Sequence, residues 1–250
     1  MWGACIFMNK QGQIPQALIV EGNIGAGKST LLKILQKTLQ AQVVLEPHEQ
    51  WQDVQGHNLL DKFYKDTPRW AYTFQCYAFV TRIWEQERCA AQTDHSIQIL
   101  ERSVYSDRYC FAQASHANKF MTDMEWILYK QWWDWFVQNY TAQPVGFVYL
   151  QVDPKTCYER IQKRSRSEEG AVPLAYIEQL HDLHESWLID KKDVIPSVKN
   201  TPVLVVEGSL DFEHDVARQE EIAQSIINFF TKHEISIIKN EPQINISEYR

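Results

Sequence analysis

The sequence predicts an α/β fold built on a central parallel sheet. Short apolar, β-prone runs stand at Leu18–Val20, Gln42–Leu45, Ile97–Leu100, Phe147–Val152 and Val203–Val206, and long helical patterns separate them. Strands that alternate with helices pair in parallel, because each crossover returns the chain to the same end of the sheet. A third observation concerns where polarity falls: Glu46, Glu101, Asp153 and Glu207 each lie at or just beyond the end of a run. Ligands collect at the carboxyl ends of strands in open parallel sheets, so Glu46 and Glu101 are candidates for chemistry. Asp153 and Glu207 read as loop or cap residues.

The first run leads directly into Gly22-Asn23-Ile24-Gly25-Ala26-Gly27-Lys28-Ser29-Thr30, a complete phosphate-binding loop in its strand–loop–helix context. Its glycines let the backbone curl around an anion, so that N–H groups and the following helix N-terminus converge on phosphate oxygens. Lys28 adds a positive charge near the transferred group and Ser29 offers a hydroxyl to Mg²⁺. The helix is legible from Leu31, Leu32, Leu35 and Leu39, with Lys33, Gln36 and Lys37 between them. Glu46 closes the second strand before Pro47, which stops it and leaves the carboxylate at the sheet edge, placed to act as a base.

Two later helices are rich in rings. One runs from about Trp70 to Ala90; the other, Asp123 to Asn139, carries Trp126, Tyr129, Trp132, Trp133, Trp135 and Phe136. So many rings exceed one buried stripe, which leaves two readings: a helix buried all round, or a subunit interface. Further on, Arg160, Lys163, Arg164 and Arg166 crowd into one short stretch that continues through Glu168-Glu169-Gly170 to Pro173. That pattern reads as a mobile lid delivering arginines to phosphates. The expected organisation is an extension over residues 1–16, one catalytic domain over 17–231 with its lid at about 160–172, and a flexible tail over 232–250.

Composition narrows the partners. The 250 residues are 44% hydrophobic and carry a net charge of −7, a globular composition that argues against a nucleic-acid polymer as partner. The five cysteines are scattered with no Cys-x-x-Cys pair, which indicates neither a disulfide framework nor a zinc site. His181 and His184 lie three apart on a helix without an evident third ligand, and read as ordinary helix histidines. No run has the length of a membrane span, Met1–Met8 lacks the pattern of a signal peptide, and the first arginine is Arg69, unlike an Arg-rich transit peptide. A cytoplasmic location is the expectation. No Gly-x-Ser-x-Gly elbow of a serine hydrolase occurs.

Several long motifs in one order now resemble the deoxyribonucleoside kinases, the group containing deoxycytidine, deoxyguanosine and mitochondrial thymidine kinases. They are the phosphate loop with its leading Glu21; Glu46-Pro47 followed by Trp51; Arg69-Trp70 with Phe74-Gln75; Glu101-Arg102-Ser103 running to Asp107-Arg108-Tyr109; and the arginine lid leading to Leu183-His184-Glu185-Ser186-Trp187-Leu188. The resemblance covers roughly Ala17 to Phe230 and implies a P-loop kinase fold with a five-stranded parallel sheet. It implies ATP as phosphate donor, Mg²⁺, and a homodimer.

Carried over by position, the resemblance makes Glu46 the base for a nucleoside 5′-hydroxyl, with Arg102 beside the incoming phosphoryl group and Ser29 and Glu101 organising Mg²⁺. Tyr64 and Glu169 would hold the sugar 3′-hydroxyl, Gln75 would pair with the base edge, and Phe74 and Phe111 would sandwich the ring, with Trp51 in the same pocket. Arg160, Arg164 and Arg166 would cover the donor phosphates, and Asp211-Phe212 falls where the family contacts the donor base. Arg82 and Asp107 stand where cytidine and purine enzymes carry an Arg and an Asp, a pair that favours bases with an exocyclic amine and crowds the thymine methyl. Trp51-Gln52 and Leu174–His181 are slightly closer to the deoxyguanosine branch.

Two rival readings remain at this stage. Asp107-Arg108-Tyr109 is also similar to a motif of thymidylate-type nucleoside monophosphate kinases, although Glu46-Pro47 and the Arg69 to Gln75 stretch favour an uncharged nucleoside. A structural relative without catalysis, like an accessory subunit of respiratory complex I, is the other; Lys28, Glu46, Arg102 and the lid arginines argue against it.

Overall fold

The computed structural model describes residues 16–39, 41–92, 97–164, 166, 168, 170, 172–233 and 235. Five strands, β1 (Gln16–Glu21), β2 (Gln42–Val44), β3 (Ile97–Glu101), β4 (Pro144–Gln151) and β5 (Val203–Glu207), form one sheet in the order β2-β3-β1-β4-β5. Every pairing is parallel. This is the α/β class that the apolar runs predict, and each run is a strand. Of the expected extension over 1–16 only Gln16 is described, and it opens β1; most of the expected tail lies outside the described residues.

The helices are α1 (Lys28–Leu39), α2 (His48–Gln52), α3 (Leu59–Lys65), α4 (Thr67–Ala90), α5 (Val104–Ser106), α6 (Gln113–Ala117), α7 (Asp123–Tyr140), α8 (Pro154–Arg164), α9 (Leu174–His184), α10 (Pro196–Lys199) and α11 (Val216–Lys232). Wider π-helical turns continue α5 over Asp107–Ala112 and α9 over Glu185–Ile189.

Because side chains alternate across a strand, the sheet divides the core in two. Leu18, Val20, Ile99, Val148 and Leu150 pack with Leu31, Leu35, Ile226 and Phe230 of α1 and α11. Ile19, Leu100, Phe147 and Tyr149 pack with Phe79, Tyr129 and Trp133 of α4 and α7. A third cluster, Trp51, Leu59, Leu60, Phe63, Ala71, Phe74 and Ala78, joins α2, α3 and the start of α4 beyond the end of β2.

The ring-rich helix α7 buries only Tyr129, Trp133 and Val137, a stripe at helical spacing. Trp132 and Trp135 are 52% and 49% exposed, as is Trp84 of α4 at 59%. The all-round buried helix is thereby excluded, and an outward aromatic face is left. Among the described residues, no helix is long and apolar enough to cross a membrane.

Candidate active site

The phosphate loop begins where β1 ends. Gly22 has φ +148° and Gly25 φ +77°; a Cβ at Gly22 would come within 2.6 Å of the Leu150 carbonyl, and one at Gly25 would strike the Cys157 carbonyl. Only glycine allows the loop to run this close to β4 and α8. Asn23 braces it from within: Oδ1 accepts from the Ile24 N–H at 2.8 Å and Nδ2 donates to the Ile177 carbonyl at 2.8 Å, joining the loop to α9. Lys28 is buried at the start of α1, donates to the Asn23 carbonyl at 2.8 Å, and is pushed down to about 8, mainly by burial. Ala26, Gly27 and Thr30 complete the turn into α1.

Glu101, at the end of β3, links that loop to the end of β2. Its Oε1 accepts from the Ser29 hydroxyl at 2.7 Å and its Oε2 from the Glu46 backbone N–H at 3.4 Å. The donor set here is all oxygen, which suits a hard divalent ion such as Mg²⁺. Glu46 Oε1 in turn receives Arg82 Nη2 at 2.9 Å and lies 3.5 Å from Arg102 Nε. Burial opposes ionisation of Glu46, yet Arg82, Arg102 and Lys28 together outweigh it and hold its carboxyl at about 2.

Arg82 reaches this point from the middle of α4. Its Nε and Nη2 form a bidentate pair with Asp107 at 2.9 and 3.0 Å, and Nη1 donates to the Glu101 carbonyl at 3.1 Å. The π-helical turn that begins at Asp107 turns both Asp107 and Phe111 toward the arginines. Arg102 follows β3 with φ +60°, a conformation that costs a non-glycine residue about 1–3 kcal/mol, and is anchored by its N–H to the Val20 carbonyl at 2.9 Å. Its guanidinium lies 4.7 Å over the Phe111 ring.

Two buried nitrogens in this region, Arg102 Nη1 and Gln75 Nε2, have no hydrogen-bond partner among the described residues. Buried donors are costly unless paired, so both are poised for an acceptor. Phe74, next to Gln75, stacks on Phe63 at 4.6 Å and meets Trp51 edge-on at 5.5 Å. Trp51 itself is core: its Nε1 donates to Thr81 Oγ1 at 2.9 Å. Beside these rings opens a cavity of about 590 Å³, lined by Phe63, Tyr64, Ser115, Asn118, Tyr176 and Gln179 among others. That size suits a ligand of nucleoside scale.

The lid arginines separate. Arg160 lies within α8 and is held by three carbonyls, Ala26 at 3.2 Å, Gly208 at 3.0 Å and Ser209 at 3.0 Å, so it stiffens the seam between the phosphate loop and the loop after β5. Phe212, buried, follows in that second loop and approaches Gly27; Asp211 is exposed and caps the Glu213 N–H at 2.9 Å. Arg164 ends α8 and Arg166 follows it, 3.2 Å from His48 Nε2. Glu169 lies outside the described residues. As expected for cap residues, Asp153 accepts from the Lys155 and Thr156 N–H groups and Glu207 from that of Ser209. His184 is a core histidine, stacked on Tyr149 with Nδ1 2.6 Å from the Leu180 carbonyl.

Sequence reasoning assigned no role to Glu21. Its side chain is fully buried at the end of β1, accepts the Ser103 hydroxyl at 2.5 Å, and is raised to about 7 by burial against the pull of Arg102. The signal was present: an acid directly closing the apolar run Ala17–Val20.

Comparison with known proteins accords with this geometry. The family model described as deoxynucleoside kinase matches residues 18–231. The chain is 43% identical over 213 residues to a probable deoxycytidine kinase of fowlpox virus, covering 85% of this chain and 87% of that one. Against the mitochondrial deoxyguanosine kinase of Xenopus laevis the identity is 38% over 244 residues, with 88% and 91% covered. Against the mitochondrial thymidine kinase 2 of Homo sapiens it is 36% over 205 residues, with 82% and 74% covered. With these matches spanning the sheet, the phosphate loop and the arginine cluster together, the chain belongs to the deoxynucleoside kinase family, a family of phosphotransferases.

Proposed function

We propose that this protein transfers the terminal phosphoryl group of ATP to the 5′-hydroxyl of a 2′-deoxyribonucleoside, preferring a purine deoxynucleoside or deoxycytidine to thymidine. The observation that carries this reading is the Glu101 carboxylate, which bonds Ser29 on one side and the Glu46 backbone on the other. Phosphate cradle and acceptor carboxylate thus meet through a single side chain.

The division of labour follows from charge. Phosphoryl transfer demands positioning and neutralisation more than covalent help. Glu46, held ionised, accepts a hydrogen bond from the 5′-hydroxyl and takes its proton as the oxygen bonds to phosphorus. Its low basicity makes orientation its main work, with proton uptake late in the step. Arg102, with an unpaired Nη1, stabilises charge on the migrating group, joined by Lys28 and by Arg164 and Arg166 of the lid. Arg160, bonded beside the Phe212 loop, supports the donor-base side. Ser29 and Glu101 would hold Mg²⁺, which when bound supplies neutralisation of the donor phosphates.

Specificity rests on the acceptor pocket. Gln75 offers an unsatisfied amide N–H to a base edge. Asp107, with both oxygens already engaged by Arg82, keeps lone pairs for an exocyclic amine, whereas a thymine methyl would meet a charged pair. The relatives' names span guanine, cytosine and thymine nucleosides, so this preference comes from Arg82 and Asp107. Tyr64 and Glu169 are proposed for the sugar 3′-hydroxyl. The active unit is proposed to be a cytoplasmic homodimer.

The test is a radiolabelled ATP assay with the four deoxynucleosides and their monophosphates. The expected result is label on deoxyguanosine, deoxyadenosine or deoxycytidine with little on thymidine. Labelling of thymidylate alone would instead support a monophosphate kinase, and no labelling at all a structural role.

A further inference from the structure

Among the described residues of the lid, Glu168 stands apart. Arg164 and Gly170 are exposed, yet Glu168 is only 7% exposed. Its Oε1 accepts from two side-chain amides, Gln52 Nε2 at 2.8 Å and Asn58 Nδ2 at 2.9 Å. A carboxylate is buried without large cost only when its lone pairs are used, and these two bonds help hold Glu168 inward.

The two donors come from the acceptor side of the molecule. Gln52 ends α2, the helix that starts two residues beyond Glu46, and Asn58 caps α3, the helix that carries Tyr64. The cap fixes Asn58: its Oδ1 accepts from the Asp61 N–H at 2.8 Å, so its amide nitrogen faces Glu168 by necessity. Arg166, two residues earlier in the lid, also meets α2 through His48. Arg166 and Glu168 therefore both meet α2.

We infer that Glu168 is a positioning residue that latches the arginine lid onto α2 and α3, so that Arg164 and Arg166 take their places only when the acceptor-side helices are in theirs. The latch rests on the proposed kinase reading for its effect on turnover, and on geometry alone for its effect on the lid. It acts through the residues it positions rather than by touching substrate, and the two amides that hold it call for an acceptor oxygen. Glu168→Gln keeps an oxygen for both amides; Glu168→Ala and Gln52→Ala do not.

The experiment compares full-length wild type with E168A, E168Q and Q52A, by steady-state kinetics and by limited trypsin cleavage after Arg164 and Arg166 without substrates. Misplacing a lid should cost E168A about 10–100-fold in kcat/KM for the phosphate donor. E168Q should recover most of that loss, Q52A should show part of it, and the E168A/Q52A double variant should be less than additive. Lid cleavage in E168A should be faster by on the order of tenfold, because the segment opens locally. E168A within twofold of an active wild type, or E168Q as impaired as E168A, would overturn the latch. Should wild type phosphorylate no nucleoside, the kinase reading fails, while cleavage rates still decide the latch: equal rates in wild type, E168A and Q52A reject it.

Discussion

Arg82 and Glu46 are joined at 2.9 Å through the same Nη2 nitrogen that bonds Asp107 at 3.0 Å. The side chain expected to read the base edge therefore also holds the carboxylate expected to meet the 5′-hydroxyl. On the proposed reading recognition and chemistry would share one guanidinium, and a change at Arg82 should act on both. Glu46 sits in a field of three cations that keeps it ionised at any working pH.

The first prediction concerns Glu46→Gln. The amide is nearly isosteric and still accepts the Arg82 bond, but it cannot take up a proton or carry the charge that orients the hydroxyl. Turnover should fall by about 10²–10⁴-fold, with a much smaller change in KM for the nucleoside. An unchanged kcat would remove Glu46 from the role of base.

Arg82→Met combined with Asp107→Ala should admit thymidine. Deleting Asp107 alone would leave a buried guanidinium half paired, so the double change isolates the filter better. The shared nitrogen adds a second expectation. Without Arg82, Glu46 loses one of the cations that depress it, and the acid limb of kcat/KM should move to higher pH than in wild type. Continued exclusion of thymidine by a folded double variant would place the filter elsewhere, and an unmoved acid limb would deny the coupling.

What could be read from the sequence was local or sequential. Strand ends, the glycine loop and the α1 stripe follow from spacing, and the five runs became the five strands of the sheet. Arg82 was paired with Asp107 beforehand, but its bond to Glu46 was not, because 36 positions separate the two and nothing local marks the pairing. Gln52 and Glu168 are further apart still, at 116 positions, and meet only through the fold. Arg160 looked like its lid neighbours because it shares a helix face with Arg164 in one basic run; only the backs of two loops, supplied by β1 and β5, reveal it as an anchor. The π-helical turn at Asp107–Ala112 has no local signature either.

Glu21 gives the stability of this fold a pH dependence of defined sign. In the folded chain it keeps its proton up to about 7, whereas unfolded it would ionise near the ordinary carboxyl value of 4.5. Its contribution is present in full below pH 4.5 and is lost as pH rises through 7, a difference on the order of 3 kcal/mol by alkaline pH. Glu21→Gln removes this term while keeping an acceptor for Ser103. Measured from pH 5 to pH 8.5, the melting temperature of the variant relative to wild type should therefore climb with pH. A difference, variant minus wild type, that stays flat or falls with rising pH would show that Arg102 keeps Glu21 ionised.

The outward aromatic face predicts a homodimer. Helices α4 and α7 pack side by side through Phe79, whose ring meets Tyr129 and Phe136 edge-on at 5.5 Å. Trp84 of α4 and Trp132 and Trp135 of α7 stand about half exposed. Exposed tryptophans are costly in water and are favoured anchors across a two-fold axis, where each ring buries against its symmetry mate's surface. Light scattering at micromolar concentration should return twice the 29.4 kDa chain mass. Trp132→Glu should shift the mass toward a single chain while leaving the phosphate loop intact, since the substitution points away from the core. A wild-type mass of one chain would reject the dimer, and a Trp132→Glu mass still twofold would move its interface to another surface.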